Sequence, residues 1–184
     1  MKNIAILASG SGTNAEAIVK HLIDHSTLNV SVIATNKADA FVLERAKKLG
    51  IASIVFNKET LNSGAFLAEL SNIDYIVLAG FLLKIPQNLI NAYPQKIINI
   101  HPALLPNYGG KGMYGDRVHH AVIDNKDSES GITIHYVNEN FDEGEIIFQA
   151  KCAISENDTP DDLATKIHKL EHTYYPKTIE QLWG

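Results

Sequence analysis

Short apolar segments alternate with amphipathic segments through the first half of the chain. The amphipathic segments carry apolar residues at helical spacing, as at Ala15, Ile18, Val19 and Leu22. Because strands that alternate with helices form parallel sheets covered on both faces, this order predicts a mostly parallel sheet. The predicted strands of this sheet are residues 3–7, 29–35, 52–56, 74–80 and 96–100.

The pattern changes after Pro102, where a loop rich in glycine and proline runs to Gly115. A short helix is predicted next, over residues 116–124. Apolar and polar residues then alternate over 131–137, and 145–154 has the composition of a strand that pairs with it as a hairpin. These two strands are predicted to add an antiparallel extension to the sheet.

A long helix is predicted at the carboxyl terminus. Thr159 suits the N-cap and Pro160 the first helical position. Pro176 is expected to kink this helix, because proline removes one main-chain hydrogen bond. The apolar residues expected to share its buried face are Leu163, Ile167, Leu170 and Tyr174. The predicted fold class is therefore α/β, with a doubly wound, mostly parallel sheet, antiparallel carboxy-terminal strands and a long carboxy-terminal helix, in a single domain over 1–184.

Composition and charge narrow the functional classes. The 184 residues are 45% apolar and 20% charged, as in ordinary globular domains, and the formal net charge is −5. A general nucleic-acid binder is not expected, since the phosphate backbone favours basic proteins. Cys152 is the only cysteine, which excludes an intrachain disulfide and a thiolate metal cluster. The amino-terminal apolar run is too short for a signal sequence or a membrane span, so we expect a cytoplasmic protein.

A glycine-rich turn at residues 10–14, GSGTN, joins the first predicted strand to the first predicted helix. The N–H groups at such a helix start lack partners and the helix dipole is positive there, so the turn suits a phosphate. The spacing Gly-x-Gly-x-x-Ala from Gly10 also matches a dinucleotide fingerprint. However, the second strand ends in Thr35-Asn36, with no acidic residue to bind a ribose diol. A bound monophosphate is favoured, and a tight turn without a ligand is the alternative.

Two polar residues share one face of the fifth predicted strand. Asn99 and His101 point to one side and Ile98 and Ile100 to the other, because strand side chains alternate. A central parallel strand is normally apolar on both faces, and an unpaired buried amide costs about 1–3 kcal/mol. At the carboxyl edge of a sheet, where ligands bind, an amide and an imidazolium suit an acyl transfer, since both donate to an oxyanion. The alternative is that neighbouring main-chain groups satisfy both side chains.

Asp142 follows the alternating strand in a predicted turn, Asp142-Glu143-Gly144. The local sequence is typical of an ordinary Asx turn. If the turn instead folds back beside His101, the carboxylate is expected to raise the pKa of the imidazole and favour its charged form. Sequence spacing does not decide between these arrangements.

Three motifs together resemble the folate-dependent formyltransferases. GSGTN at 10–14 resembles the phosphate loop of the phosphoribosylglycinamide formyltransferase family, and NIHPALLP at 99–106 resembles its catalytic strand end. GITIHYVNENFDEG at 131–144 resembles the signature around its catalytic aspartate. This resemblance, which runs from Asn3 to Trp183, implies a Rossmann-like formyltransferase fold. It also implies transfer of the formyl group of 10-formyltetrahydrofolate to the amine of 5'-phosphoribosylglycinamide in purine biosynthesis.

The resemblance implies roles for individual residues. Asn99 and His101 would polarise the formyl oxygen, with His101 as the proton donor. Asp142 would raise the pKa of His101 and help to deprotonate the attacking amine. The implied substrate-binding residues are Gly12, Thr13 and Asn14 at the phosphate, Glu171 at the ribose hydroxyls, and Gly80 and Pro102. From its place in the last helix alone, Glu171 is expected to be an exposed carboxylate.

The segment AGFLLKIP at 79–86 resembles the family segment whose main chain faces the pterin. The implied folate-binding residues are Leu82, Leu83, Lys84, Ile85 and Asn99. Two features depart from the family pattern. Many relatives carry a basic residue where this chain has Leu83, which puts a side-chain contact to the folate tail in question. The loop over 107–120 also differs from the shorter family version, and His119-His120 are expected on a solvated helix face rather than at a metal.

The predicted enzyme needs no metal and no tightly bound cofactor, with 10-formyltetrahydrofolate as its cosubstrate. The expected partners are small-molecule substrates, with no nucleic acid and no membrane, and the protein is expected to be a monomer or a homodimer. A Rossmann-type nucleotide-binding or NAD(P)-dependent module is one alternative. A formyltransferase that acts on another amine is the second.

Overall fold

Strands and helices alternate along the chain, and the computed structural model describes every residue from 1 to 184. The strands are β1 (Lys2–Leu7), β2 (Leu28–Thr35), β3 (Ala52–Val55), β4 (Tyr75–Leu78), β5 (Ile97–His101), β6 (Glu129–Tyr136) and β7 (Ile146–Ala153). The helices are α1 (Thr13–Leu22), α2 (Val42–Leu49), α3 (Lys58–Asn62), α4 (Gly64–Glu69), α5 (Gln87–Ala92), α6 (Asp116–Asp124) and α7 (Pro160–Trp183). None of the helices combines the length and the apolar character needed to cross a bilayer.

The seven strands form one sheet in the order β3-β2-β1-β4-β5-β6-β7. The first five strands are parallel, and β6 and β7 are antiparallel to their neighbours. The predicted fold class is thus confirmed. Because the strand order reverses direction between β1 and β4, the loops that follow these two strands diverge, and this edge is where open α/β sheets bind ligands.

Alternate residues of the central strands enter two separate cores. Ile4 and Ile6 of β1 pack with α1, α2, α6 and α7, whereas Ala5 and Leu7 pack with α3, α4 and α5 on the other face. Both faces of β1 are fully buried. This double coverage explains why the strand is a continuous apolar run rather than an alternating one.

The last helix, α7, begins as predicted. The Thr159 side chain accepts a hydrogen bond from the main chain of Asp162, whose carboxylate accepts one from Thr159 in return, and Pro160 occupies the first turn. The helix continues through Pro176 to Trp183, so the proline does not end it. Its buried face differs from the predicted one, because Leu170 and Tyr174 are only half-buried. The fully buried face instead follows a four-residue spacing through Leu163, Ile167, Glu171, Tyr175, Ile179 and Trp183.

Candidate active site

A cavity of about 590 Å³ opens at the edge of the sheet where β1, β4 and β5 end. Loops from distant parts of the chain meet there because parallel strands present their carboxyl ends at one edge. Most of the predicted site residues line this cavity: Gly12, Thr13, Asn14, Gly80, Leu82, Asn99, His101, Pro102, Asp142 and Glu171. Leu83, Lys84 and Ile85 line a smaller adjoining groove, whose wall also includes Asn99 and Asp142.

The glycine-rich turn has a conformation that only glycine adopts easily. Gly12 has φ +76°, and a Cβ at this position would clash with the Val42 side chain at the start of α2. The N–H groups of the first turn of α1 have no intrahelical partners, and the N-cap, Gly12, has no side chain to accept from them. Arg45 Nε donates to the Ser11 carbonyl at 2.8 Å and anchors the turn from α2. The turn therefore presents free donors to the cavity.

Glu171 of α7 lies beside this turn and is buried, with only 7% of its surface exposed. The expectation of an exposed carboxylate is therefore wrong, because α7 packs across α1 with this residue inward. Asn14 Nδ2 donates to Glu171 Oε2 at 2.9 Å. Burial raises the pKa of Glu171, although the Asn14 hydrogen bond and the charge of His168 oppose the change. Asn14 Oδ1 is buried without a partner, so this pair retains an unused acceptor next to the turn.

Asn99, His101 and Asp142 converge at the other end of the cavity. His101 Nδ1 lies 3.5 Å from Asp142 Oδ2, and Asn99 Nδ2 lies 3.5 Å from Asp142 Oδ1. Asp142 adopts a left-handed conformation, with φ +58°, which aspartate tolerates better than most residues. Of the two arrangements considered from the sequence, the turn that folds back beside His101 is the one observed.

Asp142 raises the pKa of His101 as expected, but the net pKa is lowered and the charged form is not favoured. The imidazole is only 3% exposed, and burial lowers its pKa more than Asp142 and the Tyr108 carbonyl raise it. The nearby His135 also lowers the pKa of His101. Burial has the opposite effect on Asp142, but the neighbouring His135 and His101 and the hydrogen bond from the Gly110 N–H outweigh it and lower the pKa of Asp142. The pair at neutral pH is therefore a neutral imidazole beside an ionised carboxylate.

His135 is a site residue that the sequence analysis missed. It is buried on β6, directly opposite Asn99 in the antiparallel register. Its Nδ1 lies 2.8 Å from the Tyr136 carbonyl, and its Nε2 lies 3.1 Å from Asn99 Nδ2 and 3.6 Å from Asp142 Oδ1. His135 thus orients the Asn99 amide. The only signal in the sequence was a histidine on an alternating strand, and the pairing register that gives it meaning is a tertiary feature.

The predicted folate segment follows β4 directly. Gly80 has φ +75°, and the Leu82 N–H donates to Ser9 Oγ at 3.0 Å, which ties this loop to the end of β1. The Leu82 side chain is exposed toward the cavity, whereas Ile85 is buried in the core. Ile85 can therefore offer only part of its surface to a ligand in the adjoining groove.

The glycine-rich loop before α6 covers one side of the site. Its Tyr108 carbonyl lies 2.8 Å from His101 Nε2, and the Gly110 N–H donates to Asp142 Oδ2 at 3.0 Å. Lys111 and Arg117 also line the cavity. The expectation for the paired histidines of α6 is wrong for His119, which is 3% exposed and faces the core, whereas His120 is exposed.

Comparison with known proteins agrees with this geometry. Residues 2–179 match the family described as formyl transferase. A phosphoribosylglycinamide formyltransferase from Bacillus subtilis is 38% identical over 192 residues, which cover 100% of this chain and 96% of the relative. A chloroplastic phosphoribosylglycinamide formyltransferase from Arabidopsis thaliana is 40% identical over 97% of this chain, and the chain spans 64% of that relative's length. The crystal structure of glycinamide ribonucleotide transformylase 1 from Geobacillus kaustophilus superposes with a TM-score of 0.90 at 35% identity, covering 100% of both chains. The chain belongs to the phosphoribosylglycinamide formyltransferase family of formyl transferases.

Proposed function

We propose that this protein transfers the formyl group of 10-formyltetrahydrofolate to the amine of 5'-phosphoribosylglycinamide in purine biosynthesis. The observation that carries the proposal is the arrangement of the cavity. A helix start with free N–H donors lies at one end, and the His101–Asp142 pair, 3.5 Å apart, lies at the other with Asn99. A sugar phosphate that carries an amine suits these two ends, with its phosphate at the helix start, remote from the reacting amine.

The ribonucleotide binds along the side of the cavity formed by α1 and α7. Its phosphate accepts hydrogen bonds from the main chain of Gly12, Thr13 and Asn14, where the helix dipole adds positive potential. The ribose hydroxyls contact Glu171 and the unpaired Asn14 Oδ1, since hydroxyls both donate and accept. This arrangement directs the glycinamide nitrogen toward Asp142.

The folate binds in the adjoining groove, with its pterin against the main chain of Leu82 to Ile85. Asn99 and Asp142 line both the groove and the cavity, so the formyl carbon is placed where the two meet. Gly80 and Pro102 line the cavity just after β4 and β5, and Gly80 allows a substrate to approach the main chain closely.

The amine attacks the formyl carbon, a new C–N bond forms, and the carbonyl oxygen becomes an oxyanion. Asn99 donates to this oxygen through the N–H that otherwise makes the long 3.5 Å contact with Asp142, while His135 keeps the 3.1 Å contact. Removing one such oxyanion donor typically lowers kcat by roughly 10²- to 10³-fold. Asn99 therefore acts mainly on the transition state rather than on ground-state binding.

Proton transfer completes the reaction. The attacking amine loses a proton, and the N10 nitrogen of the folate gains one as the old C–N bond breaks. Asp142 is ionised at neutral pH because its pKa is lowered, and it passes the amine proton to Nδ1 of the neutral His101. The imidazolium formed in this way stabilises the oxyanion and donates to N10. The scheme uses the folate as cosubstrate, in a cytoplasmic protein that acts as a monomer or a homodimer.

The test is a formyl-transfer assay with the full chain, 10-formyltetrahydrofolate and 5'-phosphoribosylglycinamide, with the formylated product detected by mass. A thermal-shift measurement with NADPH tests the nucleotide-binding alternative. The same transfer assay with an acceptor that lacks the phosphate tests whether the enzyme recognises that phosphate. We expect formylation of the phosphorylated amine and no stabilisation by NADPH. Stabilisation by NADPH without transfer, or equal kcat/KM for the acceptor lacking phosphate, contradicts the proposal.

A further inference from the structure

Tyr108 contacts both His101 and Asp127, a residue in the turn that follows α6. Its carbonyl lies 2.8 Å from His101 Nε2, and its hydroxyl donates to Asp127 Oδ2 at 2.6 Å. We propose that the Tyr108–Asp127 hydrogen bond is a positioning device that holds the Tyr108 carbonyl against His101 and so directs proton transfer to Nδ1. This inference rests on the proposed function and adds two positioning residues to it.

The contact at Nε2 determines which ring nitrogen takes part in proton transfer. A carbonyl oxygen only accepts, so Nε2 carries a hydrogen that it donates to Tyr108. In the neutral ring the free lone pair is then on Nδ1, which faces Asp142 Oδ2 at 3.5 Å. The titratable groups near His101 are Asp142 and His135, and only Asp142 lies within ion-pair distance of it. Without the carbonyl contact, the ring proton is free to occupy either nitrogen, and proton exchange with Asp142 is reduced whenever it occupies Nδ1.

The same short segment also holds the carboxylate. The Gly110 N–H donates to Asp142 Oδ2, the oxygen that faces the imidazole. Between the two contacts, a Cβ at Gly109 would lie 2.6 Å from Leu105 Cδ2 and 3.4 Å from Asp142 Cβ. A side chain at Gly109 would therefore displace Leu105 and contact Asp142. A displacement of the segment 108–110 would move both members of the catalytic pair.

Tyr108 has a main-chain conformation that needs external support. Its φ is +57°, in the left-handed region that non-glycine residues avoid. The ring packs against the main core, and the hydroxyl reaches Asp127, which also accepts a hydrogen bond from Asn125 Nδ2 at 2.7 Å. Burial and the Asp127 carboxylate raise the pKa of Tyr108, so the hydroxyl remains a donor. Asp127 thus holds the Tyr108 ring in place, and the position of the ring determines that of the Tyr108 carbonyl.

Tyr108→Phe tests the inference, because it keeps the ring and removes only the hydroxyl. The matched control is Tyr93→Phe, which removes a buried hydroxyl hydrogen bond of 2.8 Å to the Leu70 carbonyl in the other core. The readouts are kcat, KM and the pH profile of kcat, together with ¹⁵N NMR of labelled histidine, which distinguishes the two tautomers of His101. Asp127→Ala serves as a second variant that removes the acceptor instead of the donor.

We expect Tyr108→Phe and Asp127→Ala each to lower kcat by about tenfold with KM changed less than about twofold, and the double variant to be no worse than either. We also expect the His101 tautomer to change from Nε2–H alone to a mixture. Tyr93→Phe should lower the melting temperature and change neither the tautomer nor the pH profile. An unchanged tautomer in Tyr108→Phe, or additive losses in the double variant, overturns the inference. The NMR measurement needs no turnover, so a chain that failed to transfer formyl groups would contradict the proposed function and still test this one.

Discussion

His101 Nδ1 faces Asp142 Oδ2 across 3.5 Å, yet burial keeps the pKa of this imidazole below its ordinary value. The two effects oppose each other because the carboxylate favours a charged ring and the apolar surroundings disfavour it. A neutral base that becomes an acid after receiving a proton suits a reaction in which one nitrogen loses a proton and another gains one. In the proposed mechanism both partners are needed, since the ring receives its proton from the carboxylate.

Replacement of Asp142 by asparagine should reduce turnover severely while the fold persists. Asparagine can keep the hydrogen bond from the Gly110 N–H and tolerates the φ of +58°, but it cannot accept the amine proton. Loss of general-base assistance typically lowers kcat by roughly 10²- to 10⁴-fold. Single-turnover kinetics at saturating substrates measure this effect, and circular dichroism checks the fold. A variant that folds and turns over normally would remove Asp142 from the mechanism.

The pH dependence of kcat/KM should have an acid limb below the ordinary histidine value of about 6.5. The proposed active form has His101 neutral and Asp142 ionised, and both groups have lowered pKa values. As the pH falls, protonation of His101 removes the neutral base, and activity is lost at that step. Asp142→Asn removes an interaction that raises the pKa of His101, so the limb of the residual activity should move to lower pH. A limb above the ordinary value would contradict a neutral resting imidazole.

Gly12→Ala should damage the phosphate site and the fold together. The new Cβ would clash with Val42, and the residue has φ +76°. We expect the KM for the ribonucleotide to rise by at least about tenfold with a smaller change in the KM for the folate, because the phosphate is remote from the reacting atoms.

Gly50→Ala is the matched control for the glycine variant. Gly50 also has a positive φ, of +70°, but a Cβ there would meet no atom within 4 Å, and the residue ends α2 away from the cavity. It should cost about 1–2 kcal/mol of stability from backbone strain alone and leave both KM values unchanged. Equal KM changes in the two variants would mean that Gly12 acts only through stability.

His119→Leu should make stability less dependent on pH. His119 is buried, and its Nδ1 has no hydrogen-bond partner. Burial lowers the pKa of His119 most, and the charges of His168 and His120 lower it further, whereas Asp116 raises it. Below about pH 6.5, His119 therefore takes up a proton in the unfolded chain before it does so in the folded chain. The free energy of unfolding decreases as the pH falls from there to the lowered pKa of His119 in the folded chain. The melting temperature of the wild type should fall as the pH drops below about 6.5, and that of the leucine variant should fall less. Parallel curves would show that His119 does not titrate on unfolding.

The linear sequence was sufficient for the fold class and for much of the site. Apolar runs and helical spacing identified the strands of the sheet and the amino-terminal cap of α7, because these features depend on neighbours within a few residues. The polar pair Asn99 and His101 stood out for the same reason, since two polar side chains on one face of a buried strand are a local anomaly. The glycine-rich turn was also recognisable from its place between a strand and a helix.

Tertiary structure alone decided the remaining features. Glu171 and His119 are buried only because α7 packs on α1 and α6, and a helix pattern does not say which neighbour will cover a polar residue. His135 lies beside Asn99 because of the antiparallel register of β5 and β6. The pKa of His101 is lowered because burial, which depends on the whole folded chain, outweighs the nearby charge of Asp142. The sequence therefore determines local features such as caps, turns and strand patterns. Burial, the local dielectric and contacts between distant residues exist only once the helices and strands have packed together.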